Sequence, residues 1–105
     1  MNPIHQNRRA FGATEIVTQL SKLNGEQVLG WRLVDDALEK TFVFKNYYET
    51  MGFVNAVAFI AHAENHHPEL GVSYGKCIVR FNTHDVNGLS ASDFFCAAKV
   101  DGLLA

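Results

Sequence analysis

The stretch YYETMGFVNAVAFIAHAENHHPE, Tyr47 to Glu69, is the strongest constraint on what this chain can fold into. Apolar residues run through it at helical spacing, and Tyr48, Met51, Val54, Ala58 and Ala61 predict the buried stripe of a long helix that begins near Asn46. Pro68 disfavours helical geometry at the residue before it, so the helix has to end near Asn65 or His66 and hand the chain to an extended segment. The adjacent histidines His66 and His67 therefore lie at a helix exit. On either side the period changes from helical to two. Trp31 and Leu33 precede Asp35-Asp36, and then Leu38, Lys40, Phe42 and Phe44 alternate with Glu39, Thr41 and Val43. After the helix, Leu70 and Val72 lead to a turn around Gly75, and Cys77, Val79 and Phe81 alternate with Ile78, Arg80 and Asn82. The pattern is two antiparallel strand pairs joined by one core helix.

Two more helices complete the order. Thr14 is a plausible N-cap for a helix carrying Ile16, Val17, Leu20 and Leu23, stopped by Asn24-Gly25. Ser90 and Asp93 have the S-x-x-D form of a capping box opening a last helix, SDFFCAAKV. The expected fold is α+β: a four-stranded antiparallel sheet with three helices packed on one face, in the order α-β-β-α-β-β-α. At 105 residues the chain makes one domain, residues 1–105, with residues 1–13 a loosely held terminus in which His5 is solvated.

Mixed charges summing to −2, with no basic run, leave out the electrostatic footprint of nucleic-acid binding. The longest apolar stretch, Ala56 to Ala61, falls far short of a membrane span. Cys77 and Cys96 form no CxxC and sit in apolar surroundings, which reads as buried free thiols in a reducing, cytoplasmic compartment.

Four of the five histidines fall between His62 and His84, and His66, His67 and His84 lie at element ends, where sites form. Imidazole titrates near neutrality, so such a cluster suits acid–base work. His62 and His66, four apart on a helix, could instead offer two imidazoles to a metal. The absence of HExxH and the poor convergence of histidines flanking a proline argue against that, and no metal is expected.

The stretch ENHHPELGVSYGKCIVRFNTHDVNGLSASD resembles the signature of the pterin-4a-carbinolamine dehydratases: His66-His67-Pro68, the aromatic Tyr74, Thr83-His84, Gly88-Leu89-Ser90 and Asp93. The resemblance extends back through GWRL and FVFKNY to about Ile16. It implies a small α+β fold assembled as a homodimer or a homotetramer. It implies dehydration of 4a-hydroxytetrahydropterin to quinonoid dihydropterin, the step that recycles the cofactor of an aromatic amino acid hydroxylase, without metal or organic cofactor. It also implies that His66 and His84 form the acid–base pair and that His67 orients the pterin. Asn65, Asn82, Thr83 and Asp85 would line the site, with His62, Glu64 and Asp93 as possible support.

Three positions depart from the family pattern. His62 stands where many relatives carry an acid, Asn65 where animal relatives have one, and Leu70 where some have tryptophan. Asp93 has a structural explanation as a capping residue, Trp31 reads as core or interface, and Tyr74 lies at a turn. Two other functions remain open. One is a non-catalytic dimerisation or coactivator-like adaptor, the other a dehydratase-like role in molybdenum-cofactor metabolism.

Overall fold

The computed structural model describes residues 9–105, so His5 and most of the expected loose terminus lie outside the described residues. The elements are α1 (Ala13–Asn24), β1 (Arg32–Val34), β2 (Ala37–Val43), α2 (Tyr47–Glu64), β3 (Glu69–Ser73), β4 (Lys76–Phe81), a 3-10 turn (His84–Val86) and α3 (Ala91–Gly102). The strands form one antiparallel sheet in the order β1-β2-β4-β3. This is the expected α+β order, with the helices on one face.

Local chemistry accounts for most boundaries. The Asn46 side chain accepts a hydrogen bond from the Glu49 N–H at 2.8 Å and opens α2. Asn65 closes it in the left-handed region at φ 51°, a conformation asparagine tolerates well, and the His66 N–H returns to the Ala61 carbonyl at 3.0 Å. The β1–β2 turn is Asp35-Asp36 with both residues left-handed, φ 47° and 63°, which matches the twist of a two-residue hairpin.

At the first helix the expectation is corrected. Gly12, not Thr14, is the N-cap, because the Glu15 carboxylate reaches back to the Gly12 N–H at 3.1 Å and pairs with Arg9. The described part of the terminus is held in place: the Phe11 N–H donates to the Leu89 carbonyl at 2.7 Å and its ring meets Phe94.

The stripe of α2 is corrected too. Thr50, Phe53, Val57 and Ala61 are buried, whereas Tyr48 and Ala58 are exposed and Met51 and Val54 half-buried. This helix is apolar on nearly every side, so periodicity alone could not choose its buried face. Aromatic packing chose it: Phe53 sits with its ring 4.6 Å from that of Phe42.

Leu38, Phe42, Cys77, Val79 and Phe81 point from the sheet into the core, where they meet Phe53 and Val57 of α2 and Phe94, Cys96, Ala97 and Val100 of α3. Both cysteines are buried and outside any disulfide, as expected, and burial raises the Cys77 thiol above its ordinary pKa. A thiolate-selective reagent at mildly alkaline pH should therefore modify the folded chain at least about a hundredfold more slowly than the denatured one. Comparable rates would show that the core opens readily.

Trp31 belongs to this core, buried against Phe42 and Phe81, while Leu33 on the edge strand stays about half exposed. The Trp31 indole Nε1 donates to Asp101 at 3.1 Å, and Lys40, on the inner face of β2, donates to the other Asp101 oxygen at 2.8 Å. Asp101→Ala would strand the Trp31 indole N–H and leave Lys40 only its hydrogen bond to the Gln27 side chain, and should lower stability by about 1–3 kcal/mol, read from the urea midpoint. The opposite face of the sheet carries a row of alternating charge across all four strands. Arg32 meets Glu39 at 3.8 Å, Glu39 meets Arg80 at 3.4 Å, and Arg80 meets Glu69 at 3.6 Å.

Candidate active site

The exit of α2, the end of β4 and the start of α3 meet at one end of the sheet. Their shared element is Asp93, fully buried at the third position of α3. One carboxylate oxygen accepts from the Ser90 N–H at 3.0 Å and from the Thr83 hydroxyl at 2.6 Å, completing the capping box read from the sequence. The Thr83 and Ser90 hydroxyls lie 2.7 Å apart. The other carboxylate oxygen lies 2.6 Å from Nε2 of His66, whose ring is buried and stacks nearly parallel on Phe81 at 5.9 Å. Asp93 is thus both cap and anchor. An ionised carboxylate only accepts hydrogen bonds, so beside it a neutral His66 carries its proton on Nε2.

Beside this network opens a cleft of about 220 Å³, lined by Asp35, Asp36, His67, Glu69, Arg80, Asn82, His84 and Asn87. His67 is carried in by the extended chain that Pro68 enforces. His84 arrives on the 3-10 turn, whose base is closed by the Thr83 N–H donating to the Gly88 carbonyl at 2.9 Å. Two side chains of β4 tie the β1–β2 turn to the cleft wall: Arg80 donates to the Asp35 carbonyl at 3.1 Å and Asn82 to the Asp36 carbonyl at 3.0 Å.

Of the residues expected from the sequence, the cleft brings together His67, Asn82 and His84. His66 and Thr83 are buried in the Asp93 network. Asn65 ends the helix, Asp85 is exposed on the 3-10 turn, His62 is exposed on the last turn of α2 and Glu64 is half-buried there; none of these four lines the cleft. Tyr74 lies at the opposite end of β3 and β4, its ring stacked against Tyr47 at 6.4 Å.

Sequence reasoning missed Asp35, Asp36, Glu69, Arg80 and Asn87. For Arg80 a signal was present, because it shares a strand face with Asn82 two residues on. Strand pairing brings Glu69 and the hairpin turn to it, and pairing is not written in local periodicity.

A sequence profile of the family described as "Pterin 4 alpha carbinolamine dehydratase" matches residues 9–103. A protein of Paracidovorax citrulli named "Putative pterin-4-alpha-carbinolamine dehydratase" is 57% identical over 102 residues, covering 93% of this chain and 84% of its own. A Stenotrophomonas maltophilia protein of the same name is 62% identical over 79 residues, covering 73% of this chain and 68% of its own. Among solved structures, a transcriptional coactivator/pterin dehydratase from Brucella melitensis superposes with a TM-score of 0.83 at 28% identity, covering 92% of this chain and all of that one. A pterin dehydratase-like protein described as a RuBisCO assembly factor of the alpha-carboxysome shares the fold, with a TM-score of 0.61 at 22% identity over 74% of this chain and 90% of that one. Matched by the profile over almost all of its length and more than half identical to these relatives, the chain belongs to the pterin-4-alpha-carbinolamine dehydratase family.

Proposed function

We propose that this chain is a hydro-lyase that converts 4a-hydroxytetrahydropterin to quinonoid dihydropterin, by histidine acid–base catalysis and without metal or organic cofactor. The observation that carries the reading is that His67 and His84, from different elements, line one cleft while Asp93 fixes the ring of the adjacent His66. In the reaction the C4a–O bond breaks as a protonated imidazole gives its proton to the departing hydroxyl, and water leaves. The N5–H bond pair forms the new C4a=N5 bond as a neutral imidazole takes the N5 proton. His84 and His66 divide these two transfers, and His67 orients the ring. Asn82 supplies an amide to the heterocycle's edge, with Asn65, Thr83 and Asp85 supporting the surrounding loops.

The test follows quinonoid absorbance after the carbinolamine is generated in place. Wild type should accelerate dehydration, and the His66→Ala/His84→Ala double variant should not. If neither does while both remain folded, the hydro-lyase reading is wrong.

The same reading includes a cytoplasmic homodimer or homotetramer that recycles the cofactor of an aromatic amino acid hydroxylase. Large apolar side chains exposed on α2, Tyr48 at 90% and Phe59 at 75%, and the open edges of β1 and β3 support self-association, to be checked by analytical ultracentrifugation. The same exposed surface favours the adaptor alternative, which predicts partner binding that survives the double histidine variant.

A further inference from the structure

We propose that Thr83 is a positioning residue that holds the two acid–base histidines in one register: its hydroxyl fixes His66 through Asp93, while its backbone closes the turn that carries His84. The inference rests on the hydro-lyase reading above and deepens it. Thr83 is fully buried and stands outside the cleft lining, so its side chain acts through its neighbours.

The direction of the hydrogen bonds follows from counting protons. One Asp93 oxygen accepts from the Ser90 N–H at 3.0 Å and lies 2.6 Å from the Thr83 hydroxyl, and an ionised carboxylate has no proton to give. Thr83 therefore gives its one hydroxyl proton to Asp93. The Ser90 hydroxyl, 2.7 Å from that of Thr83, is left as the donor between the two. The chain runs from Ser90 through Thr83 to Asp93, whose opposite oxygen lies 2.6 Å from Nε2 of His66. Two donors on one oxygen resist rotation of the carboxylate and leave the other oxygen aimed at the imidazole. Ser90, Thr83 and Asp93 are all buried, where a missing partner is costly.

The main chain of the same residue works on the other histidine. The Thr83 N–H donates to the Gly88 carbonyl at 2.9 Å, and the Thr83 carbonyl accepts from the Val86 and Gly88 N–H groups at 3.2 and 3.4 Å. These bonds close the 3-10 turn His84–Val86, whose first residue follows Thr83 directly. A β-branched side chain is stiff about χ1, so the hydroxyl and the turn are held to one another. A small displacement of either imidazole from the reacting atoms is expensive in rate, which is why a residue that touches both supports matters.

Thr83→Val keeps the shape and the turn and removes only the hydroxyl. Dehydration kinetics should show kcat reduced by about 10- to 100-fold with KM changed by less than about threefold, as expected for a misplaced acid–base group. Thr83→Ser keeps the donor and should recover the rate to within about threefold of wild type. A double-mutant cycle with Asp93→Asn separates positioning from packing: because Thr83 acts through Asp93, the double variant should lose no more than about twofold beyond Asp93→Asn alone. Nitrogen NMR gives a readout independent of turnover, in which Thr83→Val mixes the His66 tautomers and Thr83→Ser does not. Should the valine chain not fold, Thr83→Ala compared with Thr83→Ser isolates the same hydroxyl and must show the same gap in kcat. A folded Thr83→Val chain that keeps the wild-type kcat, or losses that add in the cycle, overturns the proposal and leaves the hydro-lyase reading standing. A wild type that does not accelerate dehydration overturns both.

Discussion

Asp93→Ala is expected to lower stability by about 3–5 kcal/mol, the range for removing one partner from a buried charged network. The carboxylate is fully buried and holds three donors: the Ser90 N–H, the Thr83 hydroxyl and Nε2 of His66. Deleting it strands all three away from water and uncaps α3. Urea unfolding followed by far-ultraviolet circular dichroism measures the loss, and a change below about 1 kcal/mol would mean that the network relaxes without it. Asp93→Asn separates structure from chemistry. Asparagine keeps the volume and one acceptor, so stability should fall by only about 1–3 kcal/mol. Its amide group, however, faces Nε2 with a donor instead of an acceptor, which drives the His66 proton to Nδ1. Nitrogen NMR of the imidazole should show that tautomer change, together with a dehydration rate reduced by roughly 10²-fold.

His84→Ala and His66→Ala, taken singly, should each reduce catalysed dehydration by about 10²–10⁴-fold, the usual contribution of one positioned acid or base. The losses should differ between the two C4a epimers. Each epimer presents its hydroxyl to one face of the ring, and in the proposed mechanism the two imidazoles act from different elements, the exit of α2 and the 3-10 turn. His67→Ala should act mainly on KM if that residue orients the ring as proposed. Single-turnover measurements on resolved epimers read these differences. Small, equal losses for both epimers in both variants would refute the division of labour.

The two networks behind these expectations differ in how legible they were. The capping box Ser90-Asp93 stands in the sequence, and so does the helix exit forced by Pro68, because both depend on residues a few positions apart. That the capping carboxylate also grips His66, 27 positions away, is a tertiary fact. The stripe of α2 was misread by the same logic. In a helix apolar on most sides, the buried face is decided by what the sheet offers, here the Phe42 and Phe44 rings that receive Phe53. Thr50, the polar member of the true stripe, gave no apolar signal, yet it is buried with its hydroxyl within hydrogen-bonding distance of the Asn46 and Tyr74 carbonyls.

By itself the sequence determined the α+β order, the strand pairs, the histidine cluster and the family resemblance, since each follows from short-range periodicity, turn chemistry or motif spacing. Only the tertiary structure decided which histidines face solvent in the cleft and which is locked beside it, because that depends on how β4, α2 and α3 converge on Asp93. It alone brought Asp35 and Asp36 to His67 and His84, through a strand register that pairs Glu39 with Arg80 across 41 positions of chain. Side-chain partners this far apart are selected by the packing of the whole sheet, and no local pattern encodes them.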